Sequence, residues 1–117
     1  MINWGVIGLG NMAQKFASSI TETKNSKLTG IASLNKKKLK SFQETFNITD
    51  NNVYNNYDDL ISSKKIDAIY IATLNNTHLE IIKKSAENKK DILCEKPITL
   101  NYDEAKIAYS NINKYNI

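Results

Sequence analysis

The stretch that most limits how this chain can fold is its start, INWGVIGLGNMA over residues 2–13. Ile2–Ile7 is a short apolar run with β-branched residues, closed by Gly8 and Gly10, and it reads as a buried strand. From Asn11 the period changes, and Met12, Ala13, Phe16, Ala17 and Ile20 fall on one helical face. Gly8, Leu9, Gly10, Asn11, Met12 and Ala13 therefore form a G-x-G-x-x-A turn between a strand and a helix. Gly8 permits the tight turn, and Gly10 leaves the backbone open to a pyrophosphate. Ala13 lets the helix lie close to the strand, while the helix N-terminus offers free N–H groups to the anion. The same residues could make a strand-to-helix turn with no ligand. The strand before them and the helix after them favour nucleotide binding.

The rest of the chain repeats the alternation. Lys27–Ser33 is predicted as a strand and Lys36–Phe46 as a helix with Leu39, Phe42 and Phe46 on one side. Val53-Tyr54 is predicted as a short strand, Asp58–Ser63 as a helical turn and Ile66–Ala72 as a strand apolar on both faces. Thr77–Asn88 follows as a helix burying Leu79, Ile82 and Ala86, then Asp91–Cys94 as a strand. The last helix starts at Asn101, where NYDE approaches a capping box, and its stripe is Ala105, Ala108, Ile112 and Tyr109. A strand buried on both faces belongs to a parallel sheet covered by helices. The pattern predicts an α/β fold with a doubly wound, mostly parallel sheet: one Rossmann dinucleotide-binding domain over residues 1–117.

Ligands in such a sheet sit beyond the carboxyl ends of the strands. The second strand ends at Ser33, and no acid occurs from Lys27 through Phe42. An NAD site usually places Asp or Glu there for the ribose 2′-OH. Ser33 with Lys37 in the run Lys36–Lys38 suits a 2′-phosphate better, so the reading leans to NADP over NAD. Alternatively the lysines are only the solvated start of a helix. The fourth strand ends in Ala72, Thr73, Leu74 and Asn75, with Thr73 and Asn75 as short polar groups at the rim, followed by His78. A lone histidine is either a structural group or part of the site. Cys94 sits inside the apolar run and reads as core. Glu95-Lys96-Pro97 then puts Lys96 on the glycine edge of the sheet, within reach of a cofactor's reacting end. Pro97 either fixes the direction of that lysine or simply stops the strand.

Composition removes other classes. The 117 residues contain 16 lysines and no arginine, for a formal net charge of +4. Lysines are scattered and Asn and Ile are equally abundant, which reads as a codon bias. Arginine forks and interleaved aromatics are missing, so no nucleic-acid partner is expected. No apolar run reaches the ~18 residues of a membrane helix, so no membrane partner is expected. One cysteine fits a reducing compartment, with the cytoplasm as the default. One histidine and one cysteine give no ligand cluster, so no metal is expected.

GVIGLGNMA, DAIYIATLNNTH and ILCEKPITLNYDEA resemble, in order and spacing, three N-terminal signatures of the Gfo/Idh/MocA oxidoreductases (glucose–fructose oxidoreductase, inositol dehydrogenase and rhizopine-catabolism proteins). The resemblance runs from Trp4 to about Ala108. It implies hydride transfer between a nicotinamide cofactor and a sugar, polyol or related hydroxyl or ketone. It further implies Lys96 at the reacting oxygen beside the nicotinamide and Pro97 in a cis bond. Glu95 and the Thr73–Asn75 loop would line the cofactor, with His78 near it. Leu74 stands where members commonly have Pro. The family continues past the position of Ile117 into a second domain that supplies most of the substrate pocket and the oligomer interface. The expectation is therefore a fragment of a two-domain, homo-oligomeric protein, with a natural stand-alone domain as the alternative. Alone, it would bind cofactor and turn over little. Two other readings stay open: a redox-assisted glycosidase or lyase holding its NAD tightly, and a non-catalytic dinucleotide sensor.

Overall fold

The alternation of short apolar runs with amphipathic stretches resolves into ten regular elements. In the computed structural model, which describes residues 1–117, these are β1 (Ile2–Ile7), α1 (Asn11–Thr21), β2 (Ser26–Ala32), α2 (Lys36–Phe46), β3 (Val53–Tyr54), α3 (Tyr57–Ser62), β4 (Ala68–Ile71), α4 (His78–Glu87), β5 (Asp91–Cys94) and α5 (Tyr102–Tyr115). The five strands form one sheet in the order β3-β2-β1-β4-β5. Every pairing is parallel.

Side chains of successive strand residues point to opposite faces, so each strand feeds two cores. Val6, Ile31 and Tyr70 pack against Ala13, Ala17 and Ile20 of α1 and Leu39 and Phe42 of α2. Ile7, Ala32, Ile69 and Ile71 pack on the other side with Leu60 and Ile61 of α3, Ile81 and Ile82 of α4, and Ala108 of α5. The three strands that carry this packing, β1, β2 and β4, are short and supply mostly isoleucine and valine, as a sheet covered on both faces requires.

The abundant asparagines are used at helix ends. Asn35 accepts from the backbone N–H groups of Lys37 and Lys38, Asn56 from Asp59, and Asn101 from Glu104. Asn47 and Asn116 close α2 and α5 in the left-handed conformation that asparagine tolerates.

The register places Tyr54, Ala32, Ile7, Ile71 and Cys94 in one row across the sheet. The residue following four of the strands then donates its N–H to that row: Ser33 to Tyr54, Gly8 to Ala32, Ala72 to Ile7 and Glu95 to Ile71. Four strand ends thus stop at the same level.

Some expectations shift. Met12 and Tyr109, assigned to apolar faces, are largely exposed. Met12 sits in the first turn of α1 at the sheet's edge, and Tyr109 is turned away from the side that buries Ala108. The buried side of α4 is His78, Ile81, Ile82, Ser85 and Ala86, with Leu79 only half-buried. Cys94 is half-buried rather than core, because a cleft opens beside it. Lys90 is buried, its ammonium donating to the carbonyls of Ser63 and Ile66 at 2.6 Å each. Burial pushes its pKa down. No helix is long and apolar enough to cross a membrane.

At the opposite end of the sheet, the Asp67 carboxylate accepts from the backbone N–H of Asn3 at 2.8 Å and from its side-chain amide at 3.0 Å. Those bonds, the backbone one first, hold its carboxyl below the usual range. A lowered folded value stabilises the fold at neutral pH, and that contribution is lost as pH falls through it. Asp67→Asn should therefore cost less than about 1 kcal/mol at pH 7, since the group is exposed. It should also flatten the acid limb of a plot of unfolding free energy against pH. An unchanged acid limb would contradict the assignment.

Candidate functional site

Each component of the site comes from the row of strand ends. Gly8 follows β1 with φ +90°, a conformation that a side chain strains. A Cβ there would lie 2.6 Å from the Ala72 carbonyl oxygen, so β1 and β4 approach too closely for anything larger. Gly10 differs. Its backbone is extended, with φ −87°, and a Cβ built on it meets nothing within 4 Å. The missing side chain leaves open space directly before the first turn of α1, whose N–H groups have no side-chain cap. That is an anion cradle by shape and by dipole.

A cleft of about 480 Å³ runs beside it, lined by Gly8, Leu9, Gly10, Ser33, Leu34, Asn35, Lys38, Tyr57, Ala72, Thr73 and Leu74. No carboxylate lines it. The Ser33 hydroxyl accepts from the N–H of Asn35 at 3.1 Å, which leaves its own proton free to donate. Asn35 uses its side-chain oxygen on Lys37 and Lys38, at 3.0 and 3.1 Å, leaving its amide N–H groups free. Lys37 does not reach this cleft. With Asn11 it lines a neighbouring groove of about 290 Å³, and it is Lys38 that borders both. From the run Lys36–Lys38 the sequence singles out Lys37 rather than Lys38, and it passes over Asn35, although the Asn-Lys-Lys-Lys run one residue beyond Ser33 carries the signal of a capped helix start.

On the other flank of the α1 N-terminus, Met12 and Glu95 share a third cleft of about 250 Å³ with Lys15, Phe16, Ser19, Tyr70, Leu93 and Cys94. Tyr70 donates its phenolic O–H to the Glu95 carboxylate. Burial first, and then Glu95, push the phenol far above its ordinary pKa, so it stays a donor. Burial raises the Cys94 thiol to about 11, which keeps it protonated and unreactive at neutral pH.

Lys96 is exposed, and its ammonium has neither a hydrogen bond nor an ion pair. The Lys96–Pro97 peptide is cis. His78 has no exposed surface. Its Nδ1 lies 2.9 Å from the Pro97 carbonyl and its Nε2 3.1 Å from the Thr73 carbonyl. The imidazole thus fills the space between the loop after β4 and the loop after β5, a ring N–H donating to one of the two carbonyls, and offers no surface to a ligand in the crevice. Asn75 starts an exposed 3-10 turn at the rim, where Thr73 and Thr77 hydroxyls are bonded at 2.6 Å.

A sheet of this order, with a glycine cradle at its carboxyl edge, defines a dinucleotide-binding α/β domain. The sequence matches the GFO_IDH_MocA family model, described as an oxidoreductase family with an NAD-binding Rossmann fold, over residues 2–116. The chain belongs to this family. It is 33% identical over 117 residues to Oxidoreductase P35 of Formosa agariphila, covering 99% of this chain and 36% of that one. It is also similar to scyllo-inositol dehydrogenase from Lactobacillus casei with bound cofactor NAD(H) and scyllo-inositol (TM-score 0.91, 25% identity, 99% of this chain and 34% of that). An oxidoreductase from Desulfitobacterium hafniense described as NADPH-dependent gives a TM-score of 0.90 at 25% identity, over 99% of this chain and 33% of that. The chain spans about a third of the length of these relatives.

The two glycines separate folding from binding. Gly8→Ala should destabilise the fold by more than ~2 kcal/mol through strain and the clash with Ala72. Gly10→Ala should leave the melting temperature unchanged or slightly raised. It should also weaken nicotinamide-dinucleotide binding about tenfold or more by filling the cradle. Thermal melts and calorimetric titrations of both variants check this, and equal binding by Gly10→Ala would contradict it.

Proposed function

We propose that this chain is the cofactor domain of an oxidoreductase that moves hydride between a nicotinamide dinucleotide and a sugar, polyol or related hydroxyl or ketone. The observation that carries the reading is the juxtaposition along one sheet edge of an open cradle at Gly10 and an unengaged ammonium at Lys96. Open space at Gly10 and uncapped N–H groups at the start of α1 are what a pyrophosphate requires, so the residues present fit the cofactor. When bound, the nicotinamide supplies hydride donation or acceptance. The residues of this chain bind and orient it: Gly8 to Met12 at the pyrophosphate, Ser33 and its neighbours at the adenosine, Thr73, Leu74 and Asn75 along the rim. Lys96 donates a hydrogen bond to the reacting oxygen, stabilising alkoxide character on that oxygen. His78 acts from behind, wedged between the carbonyls of Thr73 and Pro97. The likeness to an enzyme whose structure holds scyllo-inositol supports the polyhydroxyl substrate class.

We further propose a preference for NADP. The groups available at the end of β2 are the Ser33 O–H, the Asn35 amide and the Lys38 ammonium, all donors, at the N-terminus of α2. α2 has no acid in its first turn, so this corner is positive by both charge and dipole. A 2′-phosphate needs donors, whereas a bare 2′-hydroxyl is best held by a carboxylate acceptor. One lysine–phosphate contact at a partly exposed site is worth on the order of 1 kcal/mol. Lys38→Ala should therefore weaken NADPH roughly three- to tenfold and change NADH less than about twofold. Ser33→Asp should reverse the preference. Tighter NADH than NADPH in the unmodified chain would discard the preference and leave the cofactor site standing.

A further inference from the structure

The cleft on the far flank of α1 is lined by one carboxylate, Glu95, and that carboxylate is not free. Tyr70 comes from the end of β4, 25 residues earlier in the chain, and reaches across to it. Its ring is held rigidly. Tyr70 is only 3% exposed and stacks on Phe16 at 4.1 Å between centroids, with 19° between planes. Phe16 in turn meets Trp4 edge-on at 5.1 Å and 74°. An aromatic column therefore runs from β1 through α1 to β4, and the phenol at its end is aimed at the loop that carries Lys96.

A dinucleotide whose pyrophosphate lies at Gly10 has one ribose on each side of the α1 N-terminus. The adenosine ribose falls on the Ser33 side, so the second ribose falls toward Glu95. A vicinal diol donates hydrogen bonds, and a carboxylate accepts them. We infer that Tyr70 is a positioning residue: its phenol holds the Glu95 carboxylate where it accepts from the hydroxyls of the nicotinamide-side ribose. This rests on the cofactor reading above. Lys15 lines the same cleft and Lys96 is adjacent in sequence, yet neither is ion-paired to Glu95.

The test compares a whole dinucleotide with its adenosine half. The chain is titrated calorimetrically with the tighter of NADPH and NADH, and with adenosine 2′,5′-bisphosphate or the 5′-monophosphate to match. Tyr70→Phe retains the ring stack and removes only the O–H. It should weaken the dinucleotide roughly five- to tenfold while changing the adenosine half less than about twofold. Glu95→Gln should do the same, and the double variant should lose little more than either single one. Glu95→Asp, which withdraws the carboxylate by one methylene and leaves the aromatic column untouched, should show the same selective loss and carries the test if Tyr70→Phe does not fold. Unchanged dinucleotide binding in these variants, or equal loss of both ligands, would overturn the role. Wild-type binding of both ligands with equal affinity would overturn it too while leaving the crevice as a nucleotide site. Binding of neither ligand would overturn both.

Discussion

The site depends on the register of a parallel sheet. Antiparallel strands would present their carboxyl ends alternately at opposite edges, whereas here Tyr54, Ala32, Ile7, Ile71 and Cys94 share one row. The chemistry-bearing loops begin one position beyond it. Ser33, Gly8, Ala72 and Glu95 are fixed by ladder hydrogen bonds, so loops that are distant in sequence begin from a common level. Moving one strand by one residue would turn its side chains to the other face and dissolve the arrangement. The buried isoleucines that set this register are therefore as necessary to the site as the groups that touch a ligand.

Above the row, a second set of constraints fixes the loops relative to each other. Gly8 lets β1 and β4 approach within a distance that excludes a Cβ. His78 is wedged between the carbonyls of Thr73 and Pro97, donating to one of them, so the rim of the crevice and the Glu-Lys-Pro segment are packed together from inside. Tyr70 does the equivalent on the α1 side through Glu95. Lys96 stands between these two struts with no partner of its own. A rigid frame around one unpaired cation is what an electrostatic role at a reacting oxygen asks for.

Much of this was legible in the residues, and the exceptions have physical causes. β1, α2, β3 and β5 begin and end where the change of period puts them, because a change of period is a local signal. The glycine turn was legible for the same reason, as it lies between two such elements. The phase of α4 was not, since its buried side includes His78 and Ser85, polar residues satisfied or enclosed by tertiary contacts. Lys90 reads as surface but is buried by carbonyls 24 and 27 residues away. Lys37 and Lys38 are indistinguishable in a lysine run; the Asn35 cap fixes the helix start, and with it which of them turns toward the crevice. The Tyr70–Glu95 pairing joins two strands across the sheet and leaves no trace in the periodicity of either.

The most direct test of the crevice is a nuclear magnetic resonance titration of the ¹⁵N-labelled chain with NADPH. If the strand ends form one dinucleotide site, the amides of Gly8–Met12, Ser33–Lys38, Thr73–Asn75 and Glu95–Lys96 should shift together with a single saturation curve. The row at Asp67 and Asn3, on the opposite edge of the sheet, should stay still. Shifts confined to the glycine turn and Ser33, with the Glu95–Lys96 amides unmoved at saturation, would contradict the claim that Lys96 stands beside the reacting end of the cofactor.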